Sequence, residues 1–481
     1  MNAFFQSLFK PVDGSSLAVF RMGFGMLLLV NSLGNLFTCQ TCRYIEPDVL
    51  FKYQHFEWVT PWPTESLWAL HWGVMALCAL AIMVGYRYVL ALFIFTCGFT
   101  YYFLLDQSLY LNHYYMVILF CIIMLFVPAN SKWSLDARHN PTIASPTVPY
   151  WAVLVLVLQL EIILIIAGIV KLNPDWLNLE PLRMWMHWRR NEFPPFFTLI
   201  TNDVGIALGA YGAIALHLLG APLLFFRRTR LWVFLTYAVF HTINHMVFSI
   251  GIFPWFTLFA SLLFFSPDWP LQLRDKLGWK SSATVSHNRE TDNSSVSLNA
   301  NGVIADQPMI EQPMIEQSSD ITSKQIMIVG VMAIWFTGQI LIPFRNWIYP
   351  GNVAWTEDGH QFSWRMKLRS KSGNVRFNIQ TEDGKSWTVY PNEHLNLKQV
   401  RKMSCNPKMV WQFGQFLEKE WEQKGYTDVS VTVNSYCSLN GRKSQRFFKP
   451  DLDLTRVSRD ELAVNWLVPL TEPLRNPLWK F

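Results

Sequence analysis

Residues 151–176 read WAVLVLVLQLEIILIIAGIVKLNPDW. From Trp151 to Val170 the run is almost wholly apolar, and about 20 such residues are what a helix needs to cross a bilayer. Two ionisable side chains interrupt it, Glu161 inside and Lys171 at its end. The stretch therefore predicts a membrane-spanning helix and marks the few polar groups that need a reason for being there.

Working outward, eight further apolar stretches occur at about 17–37, 67–84, 89–105, 113–128, 203–226, 231–249, 251–266 and 325–343. The expectation is an α-helical polytopic membrane bundle of about nine spans, with one or two of the shorter ones open to a re-entrant reading. The first stretch starts too far into the chain, and lacks the small-residue cleavage site, to be a removable signal peptide.

Loop charge predicts the orientation. Lys10, Arg87, Lys132 with Arg138, and the Arg227-Arg228-Thr229-Arg230 cluster share one side of a nine-span arrangement, which should be cytoplasmic. Loop 38–66, where Arg43 and Lys52 face four acids, and the turn at Asp106 fall on the other side. Loop 172–202 breaks the pattern with Arg183, Arg189 and Arg190 outside, and is a candidate functional surface. The N-terminus is expected inside and the C-terminus outside, in an ER or bacterial inner membrane.

The charge is divided along the chain. Residues 1–344 carry 19 Lys+Arg against 20 Asp+Glu, and residues 345–481 carry 21 against 14. Residues 1–280 are expected to form the main membrane domain and 324–344 its last span. Between them, 281–323 is rich in Ser, Asn, Thr and Gln, repeats QPMIE at 307–316, and reads as a disordered cytoplasmic linker. Residues 345–481 change to period two, as at 362–368, 375–379 and 429–433, with Asp-Gly and Ser-Gly turns between, while 407–424 reads as an amphipathic helix. This predicts an extracytoplasmic β-rich, sandwich-like domain carrying one helix.

Of seven cysteines, Cys78, Cys97 and Cys121 lie in apolar spans, where they read as small hydrophobes. Cys39, Cys42, Cys405 and Cys437 all fall on the outer side, where disulfides persist. Three pairings are open, including a bond from the first outer loop to the C-terminal domain. The Cys39–Cys42 spacing also fits a redox pair.

Lys171 has two readings: a lysine snorkelling to the interface, or a desolvated amine able to act as a general base. Glu161, ten residues earlier, points about 80° away on the helix and could instead bond a neighbouring span. Asn112-His113 opens the fourth stretch, as a helix cap or a ligand contact. His241, Asn244 and His245 share one helical face. A single His-x-x-x-His is too little for a membrane di-iron site, so no metal is expected and hydrogen bonding is the better reading. No phosphate loop or nucleophile elbow occurs, so nucleotide-driven transport and serine hydrolysis lack support, and no nucleic-acid partner is expected.

At these residues the chain resembles a known family. The segment Ile166 to Trp176, Asn112-His113, and Phe240-His241-x-x-Asn244-x-x-x-Phe248-Ser249-Ile250-Gly251-x-Phe253 look like vitamin K-dependent γ-glutamyl carboxylase, within the broader HTTM membrane-domain family. The likeness continues in Ser266-Pro267-Asp268-Trp269-Pro270, Trp355-Thr356, Phe362-Ser363-Trp364 and Phe448-x-Pro450-x-Leu452-Asp453. It implies a carbon–carbon lyase that converts protein glutamate to γ-carboxyglutamate, with reduced vitamin K as cofactor and O₂ and CO₂ as co-substrates. In the family a lysine amine deprotonates the hydroquinone, and oxygenation to the 2,3-epoxide supplies a base strong enough to take the glutamate γ-proton. The resemblance places that lysine at Lys171, since a neighbouring lysine of animal members is Val170 here. It implies that His113, assisted by Asn112, orients the reacting oxygen, and that His241 and Asn244 contribute to the cofactor site. The animal propeptide-recognition surface has no residue-by-residue counterpart. The basic outer domain suits a Glu-rich polypeptide, and equally suits anionic lipid headgroups. A quinol epoxidase of the same fold, or a non-catalytic assembly factor, are the rival readings.

Overall fold

The computed structural model describes residues 2–189, 198–248, 250–279, 321–475 and 477–478. The linker expected at 281–323, with its QPMIE repeat, lies outside the described residues apart from 321–323. Each of the nine apolar stretches forms a helix: α1 (Ser15–Leu36), α2 (Glu65–Val84), α3 (Tyr88–Leu104), α4 (Asn112–Met124), α5 (Tyr150–Ile169), α6 (Asp203–Ala215), α7 (Arg230–Phe248), α8 (Phe253–Ser261) and α9 (Ser323–Phe344). Thr64, Asn202 and Thr322 cap α2, α6 and α9 with side-chain oxygens, the last in a capping box with Gln325.

Six of these helices are long and apolar enough to cross a membrane; α6 reaches that length by running on through a π-helical turn, Leu216–Gly220, to Leu223. The other three, α3, α4 and α8, are shorter. The 13 residues of α4 rise only about 20 Å, against roughly 30 Å of hydrocarbon. Length therefore supports six crossings, and the expected nine are not established.

The opening stretch, α5, is the centre of the bundle. It packs against α4, α6, α8 and α9, and 72% of its most apolar window is buried, against 11% for α9. Trp335 of α9 donates to Gln159 of α5 at 2.7 Å, and Gln159 donates to Gln339 at 3.2 Å. These polar side chains satisfy one another across an apolar helix pair.

In the C-terminal domain, strands β1 (Lys371–Gln380), β2 (Ser386–Val389), β3 (Ser430–Leu439) and β4 (Gln445–Arg446) form one antiparallel sheet in the order β2-β1-β3-β4. The alternation at 375–379 and 429–433 was a sound guide: Val375, Phe377 and Ile379 on β1, with Val431 and Val433 on β3, face the core. Helix α10 (Pro407–Gln423) covers that core with Met409, Val410, Phe413 and Leu417. The sandwich expectation is corrected, because the layer opposite the sheet is a helix and no second sheet of the domain forms among the described residues.

The alternation at 362–368 misleads. Phe362, Trp364 and Lys367 have φ of 59°, 52° and 54°, left-handed values that no strand sustains. Trp364 and Leu368 bury in the core of the membrane bundle instead. Period two here comes from a chain of turns with the C-terminal domain on one side and the helices on the other.

Disulfides join Cys39 to Cys42 and Cys405 to Cys437. The bond considered between the first outer loop and the C-terminal domain is therefore not made. Apolar docking replaces it: Val49 and Phe51 of that loop are part of the C-terminal domain's core. Gln412 holds the Lys52 backbone at both N and O (2.8 and 3.1 Å), and Gln399 donates to Val49 O at 2.9 Å. Arg183, which broke the charge pattern, is matched by Glu180 and Asp203, and Arg189 donates to the Val247 carbonyl. Cys405–Cys437 closes a loop across 32 residues of sequence. Replacing both by alanine is expected to cost about 3–4 kcal/mol, read as an earlier thermal transition of the full chain in detergent. An unchanged transition would show the bond to be dispensable.

Candidate active site

The turn after α5 sets the position of Lys171. Asn173 caps a short helix, Pro174–Leu177, by accepting from Trp176 N, and Pro174 occupies a first-turn position that needs no N–H. Trp176 is pinned by its indole N–H to Ala210 O at 3.0 Å. The chain thereby turns back on itself, and the Lys171 amine donates to Ala167 O at 2.7 Å with its charge 5.5 Å from the Trp176 ring centre. Gly168 lets the π-helical turn after α6 press against this end of α5: a Cβ there would come within 2.7 Å of Leu218 and 3.0 Å of His217. Lys171 is buried and lies two residues beyond the end of α5; burial pulls its amine down to about 8.

Asn112 and His113 stand at the start of α4. The Tyr110 hydroxyl donates to Asn112 Oδ1 at 2.9 Å and accepts from Phe362 N at 2.7 Å, so the C-terminal segment helps to fix them. His113 packs edge-on against Tyr114 at 4.9 Å. Gly251, at φ +55°, carries the α7–α8 turn past the His113 ring, where a Cβ would sit 3.7 Å from Nε2.

Lys171, Asn112, His113 and Asn244 all line one cavity of about 920 Å³ between the bundle and the C-terminal domain. His241 does not reach its wall. It lies behind, against Tyr237, Phe240 and Phe253, and neither ring nitrogen has a hydrogen-bond partner. His245, on the same helix, packs on Trp255. Among the described residues no group of three or more His, Cys, Asp or Glu side chains is arranged to hold a metal ion.

Two features escaped the sequence reading. His217, on the π-helical turn after α6, lines the cavity and points Nδ1 at Ala213 O, 2.6 Å away. It was visible to the test that singled out His241, since it too is an ionisable group inside an apolar stretch. The second feature is a basic wall of Arg365, Lys367, Arg369 and Lys402, with His360 beside it. The first three alternate in sequence, and the period-two reading of 362–368 put Arg365 and Lys367 on a strand that does not form, with Arg369 just beyond it.

No carboxylate lines the cavity among the described residues. Glu357 pairs with Arg369 and Lys371 close by, and Arg365 Nε is buried without a partner. Burial pulls Arg365 to about 10, Arg369 to about 9 and Lys402 to about 8, the last helped by the neighbouring Arg369, Lys398, Lys367 and Arg401. Burial first, then the surrounding cations, also hold His360 well below its usual range. Among the described residues Glu357 offsets one of these four cations, Arg369, so the wall keeps an excess of positive charge that suits anions. The rest of the lining, including Trp185, Ile206, Phe240 and Phe248, is apolar.

Fold and cavity together define a class: a helical membrane bundle whose C-terminal β domain closes a largely apolar chamber with an amine at one side and a basic wall at the other. The model for the family described as HTTM domain matches residues 9–269, more than half of the chain, and the chain belongs to that family. A second, described as vitamin K-dependent gamma-carboxylase, lumenal domain, matches residues 324–473. The two together match a γ-glutamyl carboxylase. No solved structure matches the chain.

Proposed function

We propose that this protein is an integral membrane vitamin K-dependent carboxylase, converting protein glutamate to γ-carboxyglutamate with coupled oxygenation of vitamin K hydroquinone to its 2,3-epoxide. The observation that carries the reading is the convergence of Lys171, Asn112 and His113 on an apolar chamber whose other wall is basic. In this reading the C-terminal domain lies on the lumenal or periplasmic side and the N-terminus in the cytoplasm, which takes an odd number of crossings and so requires at least one of the shorter helices α3, α4 and α8 to span as well.

The chamber fits the cofactor. Its volume lies within the range of small-molecule sites, and its lining combines aromatic walls with a few convergent polar groups, as an apolar quinol needs. Bound there, vitamin K hydroquinone supplies on reaction with O₂ the base strength that no side chain has. Lys171 takes the first proton at Nζ, its free amine favoured by burial and the lack of a carboxylate partner. Asn112 and His113 orient the head group, and the apolar walls exclude water that would quench a strong base. Arg365, Lys367, Arg369 and Lys402 hold the acceptor's carboxylate through charge-assisted hydrogen bonds.

The test uses the purified full chain in lipid nanodiscs with reduced vitamin K, labelled CO₂ and a Glu-rich peptide. Label in the peptide together with epoxide supports the carboxylase. Epoxide without label would leave a quinol epoxidase, and neither product would leave a non-catalytic assembly factor.

A pH dependence arises from the two lysines. Lys171 works as the free amine, so activity is expected to rise as pH approaches and passes about 8. Lys402 works as the cation, so its hold on the acceptor weakens as pH rises through about 8. Epoxide formation at saturating peptide should therefore climb to a plateau, while peptide KM increases above the same region. A peptide KM independent of pH would remove Lys402 from acceptor binding.

A further inference from the structure

His360 and Arg365 reach the chamber from one run of turns, residues 357–369. His360 is 6% exposed and its Nδ1 has no hydrogen-bond partner; Arg365 Nε is buried and likewise unpartnered. The run that carries them is strapped down. Arg345 donates to Gln361 O and Ser363 Oγ, Ser363 donates to Gly359 O, and Phe362 N donates to the Tyr110 hydroxyl at 2.7 Å. Gly359, at φ +72°, lets the turn lie against Asn346, where a Cβ would come within 2.8 Å. Buried polar groups held this firmly and left unpartnered call for an explanation, and a ligand in the chamber supplies one.

The charge around them exceeds what one carboxylate needs. Arg365, Lys367, Arg369 and Lys402 line the wall, and Glu357 is shared between Arg369 and Lys371. That leaves Arg365, Lys367 and Lys402 without an acidic partner among the described residues. Lys367 lies over the Phe248 and Trp185 rings, 4.7 and 5.4 Å from their centres, which hold its ammonium without neutralising it. Lys402 comes from the short helix Leu397–Met403, capped by Asn396. The groups are close enough to act on one another: His360 feels the charges of Arg365 and Lys402, and Lys402 feels that of Lys367. Three unneutralised cations thus face an acceptor side chain that arrives with one negative charge.

The reaction itself supplies a second. When the γ-carbon of a glutamate loses its proton, the C–H bond breaks and its electron pair stays on that carbon, shared with the carboxylate. The proton goes to the base that reduced vitamin K and O₂ provide, and the side chain passes from one negative charge to two. Carbon dioxide then forms a C–C bond with that pair, and the malonate-type product keeps both charges on one carbon's two carboxylates. Resting on the carboxylase reading, we propose that Arg365, Lys367 and Lys402, with His360, form a dicarboxylate subsite that binds the γ-carboxyglutamate side chain more tightly than glutamate. Arg365 offers a planar fork to one carboxylate, and the two ammonium groups meet the other. The same charge favours the doubly charged state in which the new bond forms, and it slows departure of the product.

Equilibrium binding tests this on the full chain in nanodiscs of neutral lipid, with no quinone present. Three short peptides differ at one place only: one carries glutamate, one γ-carboxyglutamate, and one glutamate followed by an added aspartate. The third matches the charge of the second with its carboxylates on separate residues. The γ-carboxyglutamate peptide is expected to bind about 10–100-fold tighter than the glutamate peptide, and most of that gain should be missing from the charge-matched one. Arg365→Gln and Lys402→Gln should each shrink the preference about tenfold. Lys385→Gln, on an exposed turn of the same domain, should leave it unchanged. Lys402→Gln decides the matter if Arg365→Gln melts early. Equal affinity for the γ-carboxyglutamate and charge-matched peptides would overturn the proposal, as would a full preference in both wall variants. In turnover, Lys402→Gln should lower labelled CO₂ in the peptide more than epoxide, because the second charge appears only after the proton has left. If the wild-type protein makes neither epoxide nor labelled peptide, it is the carboxylase reading that fails, and the peptide affinities decide the subsite independently.

Discussion

Lys171→Met is expected to lower epoxide and labelled-peptide formation together, by roughly 10²–10⁴-fold, the range associated with a positioned general base. Methionine keeps the length and apolar stem of lysine, so the contact with Trp176 survives in part, while the proton acceptor is gone. The bond lost on the protein side is a single donation to Ala167 O, a carbonyl whose other tasks in α5 are unaffected. Thermal stability should therefore change little, and peptide binding in the absence of quinone should be retained. Lys171→Arg separates charge from basicity, because a guanidinium stays protonated at any working pH. If the Lys171→Arg protein turned over at the wild-type rate, Lys171 would be acting as a fixed charge and not as a base. Full activity in Lys171→Met would favour the assembly-factor reading.

Arg442→Met is expected to destabilise the junction of the two domains by about 3–5 kcal/mol, the cost of stranding one half of a buried ion pair. Arg442 donates twice to Asp175, at 2.6 Å to each carboxylate oxygen, and Asn440 adds a third bond at 2.7 Å. Both charged side chains are about nine-tenths buried, at 10% and 9% exposure. Asp175 lies four residues after Lys171, on the short helix that turns the chain back towards the cavity. Loosening this bond therefore separates the domains and unsettles the catalytic segment together. Limited proteolysis should release the C-terminal domain earlier in Arg442→Met than in wild type. The double change Asp175→Leu with Arg442→Leu should regain most of the lost stability, since no unpaired charge remains. A double variant no better than the single one would show that specific hydrogen bonds, and not charge burial, hold the junction.

The sequence reading succeeded where one local pattern answers to one physical cause. Apolar runs became helices at all nine places because burying or lipid-exposing a helix's side chains needs no partner chosen in advance. Residues 407–424 formed the expected helix, and 375–379 and 429–433 became paired strands, because their apolar faces meet a core on one side only. At 362–368 the same period gave the wrong element, since the buried side chains there enter the bundle's core and not a sheet's face. Arg365, Lys367 and Arg369 were in plain view but could not be assigned to a cavity until the turns carrying them were placed. His241 and His217 show the same limit. Both are ionisable groups in spans, and only packing puts one behind the wall and the other on it.

By itself, the order of residues determined a membrane-embedded helical part and a basic C-terminal domain, and it singled out Lys171, Glu161, Asn112, His113, His241 and Asn244 as polar groups in apolar surroundings that demand a reason. These come from composition and periodicity, which act over a few residues; the choice of Lys171, Asn112 and His113 among them came from the family resemblance. The tertiary structure alone decided that residues 112–113, 171, 217, 244 and 365–369 face one chamber. It also decided that Cys39 bonds its near neighbour Cys42, and that the domains are joined by Val49, Phe51 and the Asp175–Arg442 pair. Contacts between segments this far apart depend on how helices cross and where turns bend, and no local pattern encodes either.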